Sequence, residues 1–329
     1  MRLTYAEAMA DAVYKAAAAD PDVVFIGNGF VGLNVQAREA FTPFDVDFAD
    51  RVVAKPVSEL GLAGAGIGAA IAGCRPMVDL STADFLYQAF SQIVDEAATV
   101  RYSTAGATSA PVTFYAMAGI RGAGGVQHSA RPQAMLAGVP GLQVVLPASP
   151  SDVHGLLRWS LLHSADPTVL LTHPLLFADE EEVDVDAPPI PFGSARVRRD
   201  GDDLTIVAMS VMVPRALEAA AALADDGVAV EVIDPRSLAP LDTGTIVRSA
   251  SKTGRVLVVD ECSRSFGAGA EIAAVVAEQA FRDLRAPVTR LATPDVPVPY
   301  SESLEAELVV SAAKIADAAR RLVDEPAYR

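Results

Sequence analysis

Short runs rich in β-branched residues alternate with helical patterns along this chain, and the alternation limits its possible folds more than any other feature. In the first half, strands are predicted at residues 23–26, 76–80, 112–117, 143–146 and 169–172. The helical patterns between them cover residues 5–19, 59–72, 86–102 and 151–163. Because strands that alternate with helices form mostly parallel sheets covered on both faces, the sequence predicts an α/β fold.

An acidic, proline-containing segment interrupts this rhythm near the middle of the chain. Residues 179–189 read Asp-Glu-Glu-Glu-Val-Asp-Val-Asp-Ala-Pro-Pro, a composition typical of an exposed linker. The alternation then restarts, and a length of 329 residues is sufficient for two domains. We therefore predict two doubly wound α/β domains, at residues 1–180 and 193–329, joined by an acidic, proline-rich linker at residues 181–192.

The charge balance and the cysteine content exclude several classes of protein. The chain has 42 acidic and 26 basic residues, for a net charge of −16, so a nucleic-acid partner is not expected. The uncharged stretch at residues 60–74 is too short to span a membrane, and the first residues lack the apolar core of a signal peptide. Cys74 and Cys262 are far apart in the sequence and form no metal or disulfide pattern, so a reducing, cytoplasmic location is expected.

Four glycines fall within ten residues of one predicted helix, at Gly61, Gly64, Gly66 and Gly68. Each glycine costs a helix about 0.8–1 kcal/mol relative to alanine, so this helix must gain something from its small side chains. Glycine lets another backbone approach closely. Either a tight contact within the domain or a contact with another subunit explains the pattern.

Glu59 begins this glycine-rich helix and has two interpretations. Ser58 can cap the helix, and an acidic side chain in the first turn interacts favourably with the helix dipole. Alternatively, apolar and glycine neighbours shield the carboxyl and suit it to sharing a proton. The residues alone do not choose between these readings.

His128 and Phe85 are further candidates. His128 lies in the glycine-rich loop Gly122-Ala123-Gly124-Gly125-Val126-Gln127-His128-Ser129, as either a solvated residue or a proton donor at a pocket. Phe85 follows a predicted strand, at the end where open α/β sheets bind ligands. It either packs in the core or stacks on a planar ring. Ser129 is not part of a hydrolase nucleophile motif.

Taken together, these segments resemble a known family. The matching motifs are Pro56-Val57-Ser58-Glu59, Gly73-Cys74-Arg75-Pro76, Gln127-His128-Ser129, Pro140-Gly141-Leu142, Asp234-Pro235-Arg236 and Thr293-Pro294-Asp295. In this order they resemble the beta subunit of the decarboxylating, thiamine diphosphate-dependent component of 2-oxo acid and acetoin dehydrogenase complexes, within the transketolase-like family. The resemblance covers nearly the whole chain and implies a pyrimidine-binding domain followed by a transketolase C-terminal domain.

The resemblance also implies roles for single residues. It gives Glu59 the proton exchange with N1′ of the cofactor aminopyrimidine, and it gives Phe85 the stacking contact with that ring. Val57 matches a cofactor-binding position, and His128 matches the active-site histidine near the substrate. A carboxyl held out of bulk water suits such proton sharing.

Cofactor and partner expectations follow from the same resemblance. Families of this kind hold the diphosphate through Mg²⁺ with a Gly-Asp-Gly motif and a later Asn, and this sequence has no Gly-Asp-Gly. The Mg²⁺ ligands are therefore expected on an alpha subunit, in an α2β2 heterotetramer with active sites at α–β interfaces. The resemblance further implies a K⁺ site near Leu161, Leu162, Ser164 and Asp166.

The implied reaction is decarboxylation of a 2-oxo acid (pyruvate-like or branched-chain), or cleavage of acetoin, with transfer of the acyl unit to the lipoyl carrier of an acyltransferase. The alternatives are a split transketolase-like or acyloin-forming subunit, which uses a sugar or aldehyde acceptor, and a non-catalytic scaffold. Three segments depart from the family pattern, at residues 27–32, 81–83 and 115–119. They lie where the shape of the substrate is expected to be read.

Overall fold

Both halves of the chain alternate parallel strands with helices, which confirms the predicted α/β fold class. The computed structural model describes residues 1–27, 39–54 and 56–326. The chain divides into two units, Met1–Arg121 with Gln127–Phe192 and Gly122–Val126 with Gly193–Arg329. The short Gly122–Val126 segment of the second unit therefore interrupts the first unit in sequence. Of the three segments that depart from the family pattern, residues 28–32 lie outside the described residues.

The first unit contains both long and very short elements. Its strands are β1 (Arg2–Thr4), β2 (Val23–Gly27), β3 (Val52–Ala54), β4 (Arg75–Thr82), β5 (Thr113–Met117), β6 (Gln143–Val145), β7 (Thr168–Thr172) and β8 (Glu180–Glu182). Its α-helices are α1 (Tyr5–Ala19), α2 (Thr42–Asp47), α3 (Glu59–Ile71), α4 (Ala83–Leu86), α5 (Val100–Ser103), α6 (Gln133–Ala137) and α7 (Pro150–Leu162). Short 3-10 helices lie at Ala49–Arg51, Tyr87–Ala89 and Pro174–Leu176, and a π-helical segment lies at Gln92–Ala97.

A parallel sheet forms the core of the first unit. Six strands run in the order β6–β7–β5–β4–β2–β3, with each neighbouring pair parallel. Strands β5 and β7 are buried along their whole length, which explains why both read as continuous runs with few charges. Helix α1 begins with a capping box, in which the Glu7 amide donates to Thr4 Oγ1 at 3.2 Å. The carboxyl ends of the parallel strands all meet at one edge of this sheet.

The second unit contains strands and helices, and five of its strands form a smaller sheet. Its strands are β9 (Arg196–Arg199), β10 (Leu204–Ala208), β11 (Val230–Asp234), β12 (Ser237–Ala239), β13 (Val256–Ser263) and β14 (Thr289–Thr293). Its helices are α8 (Met212–Asp225), α9 (Thr243–Thr253), α10 (Ala268–Gln279), α11 (Glu302–Leu308) and α12 (Ala312–Asp324). The sheet order is β14–β13–β10–β11–β9, with only the β11–β9 pair antiparallel. None of the helices in the described ranges combines the length and the apolar character that a membrane crossing needs.

The predicted helix over residues 86–102 is wrong as a single element. The chain instead passes from α4 through a 3-10 turn and the π-helical segment Gln92–Ala97 to α5. The apolar spacing of these residues is compatible with any of the three helical hydrogen-bond patterns, so the pattern could not predict the changes between them. The sequence pattern also predicts a single last helix near residues 304–322, and the structure divides it into α11 and α12.

The acidic segment that follows the first domain is not wholly irregular. Its strand Glu180–Glu182 pairs antiparallel with Arg2–Thr4. Arg2 Nε donates to Glu180 Oε2 at 2.6 Å, so opposite charges accompany this pairing at the surface. Val183 in this segment is only 2% exposed. Local composition could not reveal a partner strand about 180 residues away.

The glycines of α3 fall into two groups. A Cβ atom on Gly66 would lie 2.3 Å from Val78 Cγ2, so this glycine permits close packing of α3 on β4. A Cβ atom on Gly64 or Gly68 would meet nothing within 4 Å. The contact within the domain is therefore confirmed at Gly66, while the other two glycines lie on an exposed face that also carries Leu60 and Ile71, which are 53% and 48% exposed.

Candidate active site

Glu59 is the first residue of α3, and the helix cap explains its position. The Ser58 side chain accepts a hydrogen bond from the Gly61 amide at 3.3 Å, so the capping role predicted for Ser58 is confirmed. Glu59 is half-buried, whereas the neighbouring Val57 is 69% exposed. The carboxyl therefore lies at the boundary between the protein interior and an open surface.

Phe85 and His128 come together although 43 positions separate them in the sequence. Phe85 lies on α4, directly after the carboxyl end of β4, and His128 lies in the loop that follows β5. Their ring centroids are 5.6 Å apart and their planes meet at 82°, an edge-to-face arrangement. Phe85 is half-buried and His128 is exposed, so the pair combines a fixed aromatic surface with an accessible imidazole.

Asp84 was not selected by the sequence analysis, but this residue connects the two candidates. Asp84 Oδ2 accepts a hydrogen bond from the Ala130 amide at 3.0 Å. It therefore holds the loop two residues after His128 and sits directly before Phe85. Burial lowers the pKa of the nearby Arg121, and the charge of Asp84 opposes this effect. An acidic residue at the carboxyl end of a strand was the available signal in the sequence.

Ser129 and Gln133 supply buried polar atoms beside His128. Ser129 is 3% exposed and Gln133 is 5% exposed. Neither Ser129 Oγ nor Gln133 Oε1 has a hydrogen-bond partner among the described residues. Buried polar atoms normally find partners, so these two are exceptions among the described residues.

Tyr115 was expected to lie where substrate shape is read, and the structure does not support this position. The side chain is 1% exposed within β5, and its hydroxyl accepts a hydrogen bond from Thr172 Oγ1 at 3.2 Å. Burial raises the pKa of this phenol well above its usual range. Tyr115 is therefore a core residue of the sheet.

Two of the carbonyl groups near the expected K⁺ site accept hydrogen bonds from an arginine. The Arg75 guanidinium donates to the carbonyl oxygens of Leu161 and Ser164, the latter at 2.7 Å. Arg101 forms an ion pair with the Asp166 carboxylate. The carbonyl oxygens of Leu161 and Ser164 are therefore not free to bind K⁺ while Arg75 holds this position, and the K⁺ site stays a prediction.

Comparison with known proteins identifies the family. Residues 1–178 match the transketolase pyrimidine binding domain, and residues 193–315 match the transketolase C-terminal domain. The chain is 39% identical over 329 residues to the beta subunit of acetoin:2,6-dichlorophenolindophenol oxidoreductase from Cupriavidus necator, covering 97% of each chain. It belongs to the E1 beta-subunit family of 2-oxo acid and acetoin dehydrogenases.

Other E1 beta subunits match over most of their length. The pyruvate dehydrogenase E1 component subunit beta of Rickettsia felis is 35% identical, with 98% of each chain covered. The 2-oxoisovalerate dehydrogenase subunit beta of Bacillus subtilis is 38% identical, with 84% of each chain covered. Family membership is thus shared among relatives whose names give different substrates.

Solved structures show the same fold. A split gene transketolase, described as an inactive beta4 tetramer, has a TM-score of 0.78 at 24% identity and covers 98% of each chain. Transketolase from Leishmania mexicana has a TM-score of 0.70 at 15% identity, and the match covers all of this chain and 47% of that one. At these identities the likeness concerns the fold.

The side chains described above are chemically suited to the aminopyrimidine end of thiamine diphosphate. The half-buried Glu59 offers a carboxyl and Phe85 offers a ring face. Ser129 Oγ and Gln133 Oε1, which have no partner among the described residues, offer hydrogen-bonding groups. Within residues 1–27, 39–54 and 56–326, no three His, Cys, Asp or Glu side chains come together as a metal-binding group.

Proposed function

We propose that this chain supplies the aminopyrimidine half of a thiamine diphosphate site in a 2-oxo acid or acetoin dehydrogenase. The observation that carries the proposal is the contact between Phe85 and His128, which Asp84 fixes at the carboxyl ends of β4 and β5. Parallel α/β sheets bind ligands at this edge. The beta subunits named among the relatives support the same assignment.

In this proposal an alpha subunit holds the diphosphate through Mg²⁺, in an α2β2 heterotetramer. The missing Gly-Asp-Gly motif supports this division of the site between two chains. The exposed face of α3 at Gly64 and Gly68 supports a close contact with another subunit, because none of the described residues lies within 4 Å of a Cβ atom added there.

Each candidate residue then has a chemical task. Glu59 exchanges a proton with N1′ of the aminopyrimidine, from a half-buried position at the start of α3. Phe85 orients the ring by stacking, and Val57 contacts it from the segment before α3. His128 donates a hydrogen bond or a proton to the substrate. When bound, thiamine diphosphate supplies the electron-accepting ring needed for cleavage next to a keto carbon.

We further propose that the acyl unit passes to a lipoyl carrier. The relatives named as pyruvate, 2-oxoisovalerate and acetoin enzymes support this class of reaction. Co-expression with an alpha subunit, followed by assays with a panel of 2-oxo acids and acetoin, tests the substrate. Product formation that depends on a lipoyl domain supports the dehydrogenase, whereas turnover only with a sugar or aldehyde acceptor contradicts it.

Replacing Glu59 by Gln tests the proposed proton exchange directly. Glu59→Gln keeps the shape and removes the titratable carboxyl, so turnover is expected to fall by about 10²–10⁴-fold while the complex still assembles. Glu96→Gln, at an exposed position, is the matched control. Near-normal turnover of the Glu59→Gln complex would show that this carboxyl does not exchange the proton.

The isolated chain tests the division of the site. It is expected to bind thiamine diphosphate weakly and to show no turnover, because the diphosphate-binding groups lie on the other subunit. Calorimetric titration of the isolated chain and of the pair measures the difference. Full activity without an alpha subunit would contradict the shared site.

A further inference from the structure

A buried glutamate in the second unit binds the start of the loop that carries His128. Glu305, on α11, is 4% exposed, and its Oε1 accepts a hydrogen bond from the Gly122 amide at 2.7 Å. Both residues belong to the second unit, which includes the segment Gly122–Val126. His128 follows Gly122 by only six residues along the chain.

The second carboxylate oxygen shows that Glu305 is not part of a saturated polar network. Its Oε2 is buried and has no hydrogen-bond partner among the described residues. Burying a carboxylate is costly unless it is paired, and one amide does not fully compensate for lost hydration. A neutral or apolar side chain would fill the same space at lower cost, so the hydrogen bond to Gly122 needs another reason.

The same part of the chain touches the loop a second time. A Cβ atom on Gly125 would lie 3.4 Å from Tyr300 Cδ2, which shows that the Tyr300 ring lies against this glycine. Gly122, Ala123 and Gly125 all have positive φ angles, of 90°, 50° and 61°. A backbone with three such conformations has many alternatives available, so contacts at Gly122 and Gly125 select one of them.

We propose that Glu305 is a positioning residue: by holding the Gly122 amide, it fixes the beginning of the loop that presents His128. This inference rests on the proposed function of His128. Asp84 holds the other end of the loop through the Ala130 amide. Glu305 thus acts on the imidazole through the backbone and does not itself touch the substrate.

Limited trypsin digestion measures this contact directly, because the Gly122 amide belongs to the Arg121–Gly122 peptide bond, which is a trypsin site. Glu305→Ala removes the acceptor, and cleavage at this bond is expected to accelerate roughly tenfold or more. Glu305→Gln keeps an oxygen acceptor and should be cleaved at close to the wild-type rate. Glu302→Ala, at an exposed position on the same helix, is the matched control.

The cleavage rate is read as the appearance of a fragment that begins at Gly122. Cleavage of Glu305→Ala at the wild-type rate, or equal acceleration in Glu305→Gln, would overturn the proposal. Should Glu305→Ala fail to fold, Tyr300→Ala loosens the same loop from a side chain that is 75% exposed. Faster cleavage in that variant supports the proposal that contacts from this part of the second unit fix the start of the His128 loop. An unchanged cleavage rate contradicts it.

Turnover of the complex with an alpha subunit separates this inference from the proposed function. Glu305→Ala is expected to lower kcat, and Glu305→Gln to restore it, while His128→Ala is impaired in either case. If Glu305→Ala accelerates cleavage but His128→Ala retains normal turnover, the role proposed for His128 fails and the positioning role fails with it. If His128→Ala is impaired while Glu305→Ala resists trypsin and remains fully active, only the positioning role is overturned.

Discussion

Alanine substitutions at neighbouring glycines of α3 are expected to have opposite effects on the free energy of unfolding of the isolated chain. At Gly64 and Gly68 an added Cβ meets nothing within 4 Å. Replacing either glycine by Ala should therefore stabilise the isolated chain by about 0.8–1 kcal/mol, the difference in helix propensity. At Gly66 the added Cβ would lie 2.3 Å from Val78 Cγ2. Val78 is fully buried in β4, so overpacking costs about 1–3 kcal/mol and exceeds the gain in helix propensity.

Two measurements separate the fold from the assembly. Urea unfolding of the isolated chain should give a higher free energy of unfolding for Gly64→Ala than for the wild type. The value for Gly66→Ala should be lower than that of the wild type. Light scattering after chromatography with the alpha subunit should show that Gly64→Leu and Gly68→Leu fold but do not assemble, because the larger side chains hold the two surfaces apart. Glu96→Leu, on an exposed site elsewhere, controls for added apolar surface.

The reasoning would be refuted by normal heterotetramer formation in both leucine variants, since a close subunit contact at these glycines could not admit those side chains. Destabilisation of the isolated chain by Gly64→Ala would refute the structural premise, because it would mean that the position is not open. Either result is independent of catalytic activity.

Two further predictions concern the first unit. Arg75→Met should lower the free energy of unfolding by roughly 2–4 kcal/mol, because it leaves the carbonyl oxygens of Leu161 and Ser164 without their cationic donor. Added K⁺ should raise the melting temperature of this variant but not that of the wild-type chain. A K⁺-dependent melting temperature of the wild-type chain would contradict the arrangement. Burial raises the pKa of Asp11, but hydrogen bonds from His154 and Lys15 outweigh this and hold it below the unfolded value of 3.8. Its stabilising contribution is therefore present above about pH 4 and lost as the pH falls through the lowered pKa. Asp11→Asn should remove this acid dependence in urea unfolding measured across the range, and an unchanged acid limb would show that the carboxylate does not contribute.

The local pattern predicted the architecture well where each element depends on its own residues. The strands β2, β5 and β7 follow from short apolar runs, and the capping box of α1 follows from Thr4 and Glu7. The single helix predicted over residues 86–102 failed because a helical pattern does not specify which hydrogen-bond spacing the packed chain adopts.

In the candidate site, too, some residues could be selected from the sequence and others could be found only in the structure. Glu59, Phe85 and His128 were selected from their neighbours in sequence, and the structure brings Phe85 and His128 into contact. Asp84 and Glu305 were not selected, since each acts on an amide 46 or 183 positions away along the chain. Nothing near either carboxylate in the sequence indicates that amide.

Sequence by itself determined the α/β class and the family and selected the candidate site residues, because periodicity and short motifs are properties of neighbouring residues. Only the tertiary structure decided which glycines of α3 are packed and which are open, and which carboxylates hold the two ends of the His128 loop. Such contacts join distant segments, so they exist only after the sheets have brought those segments together.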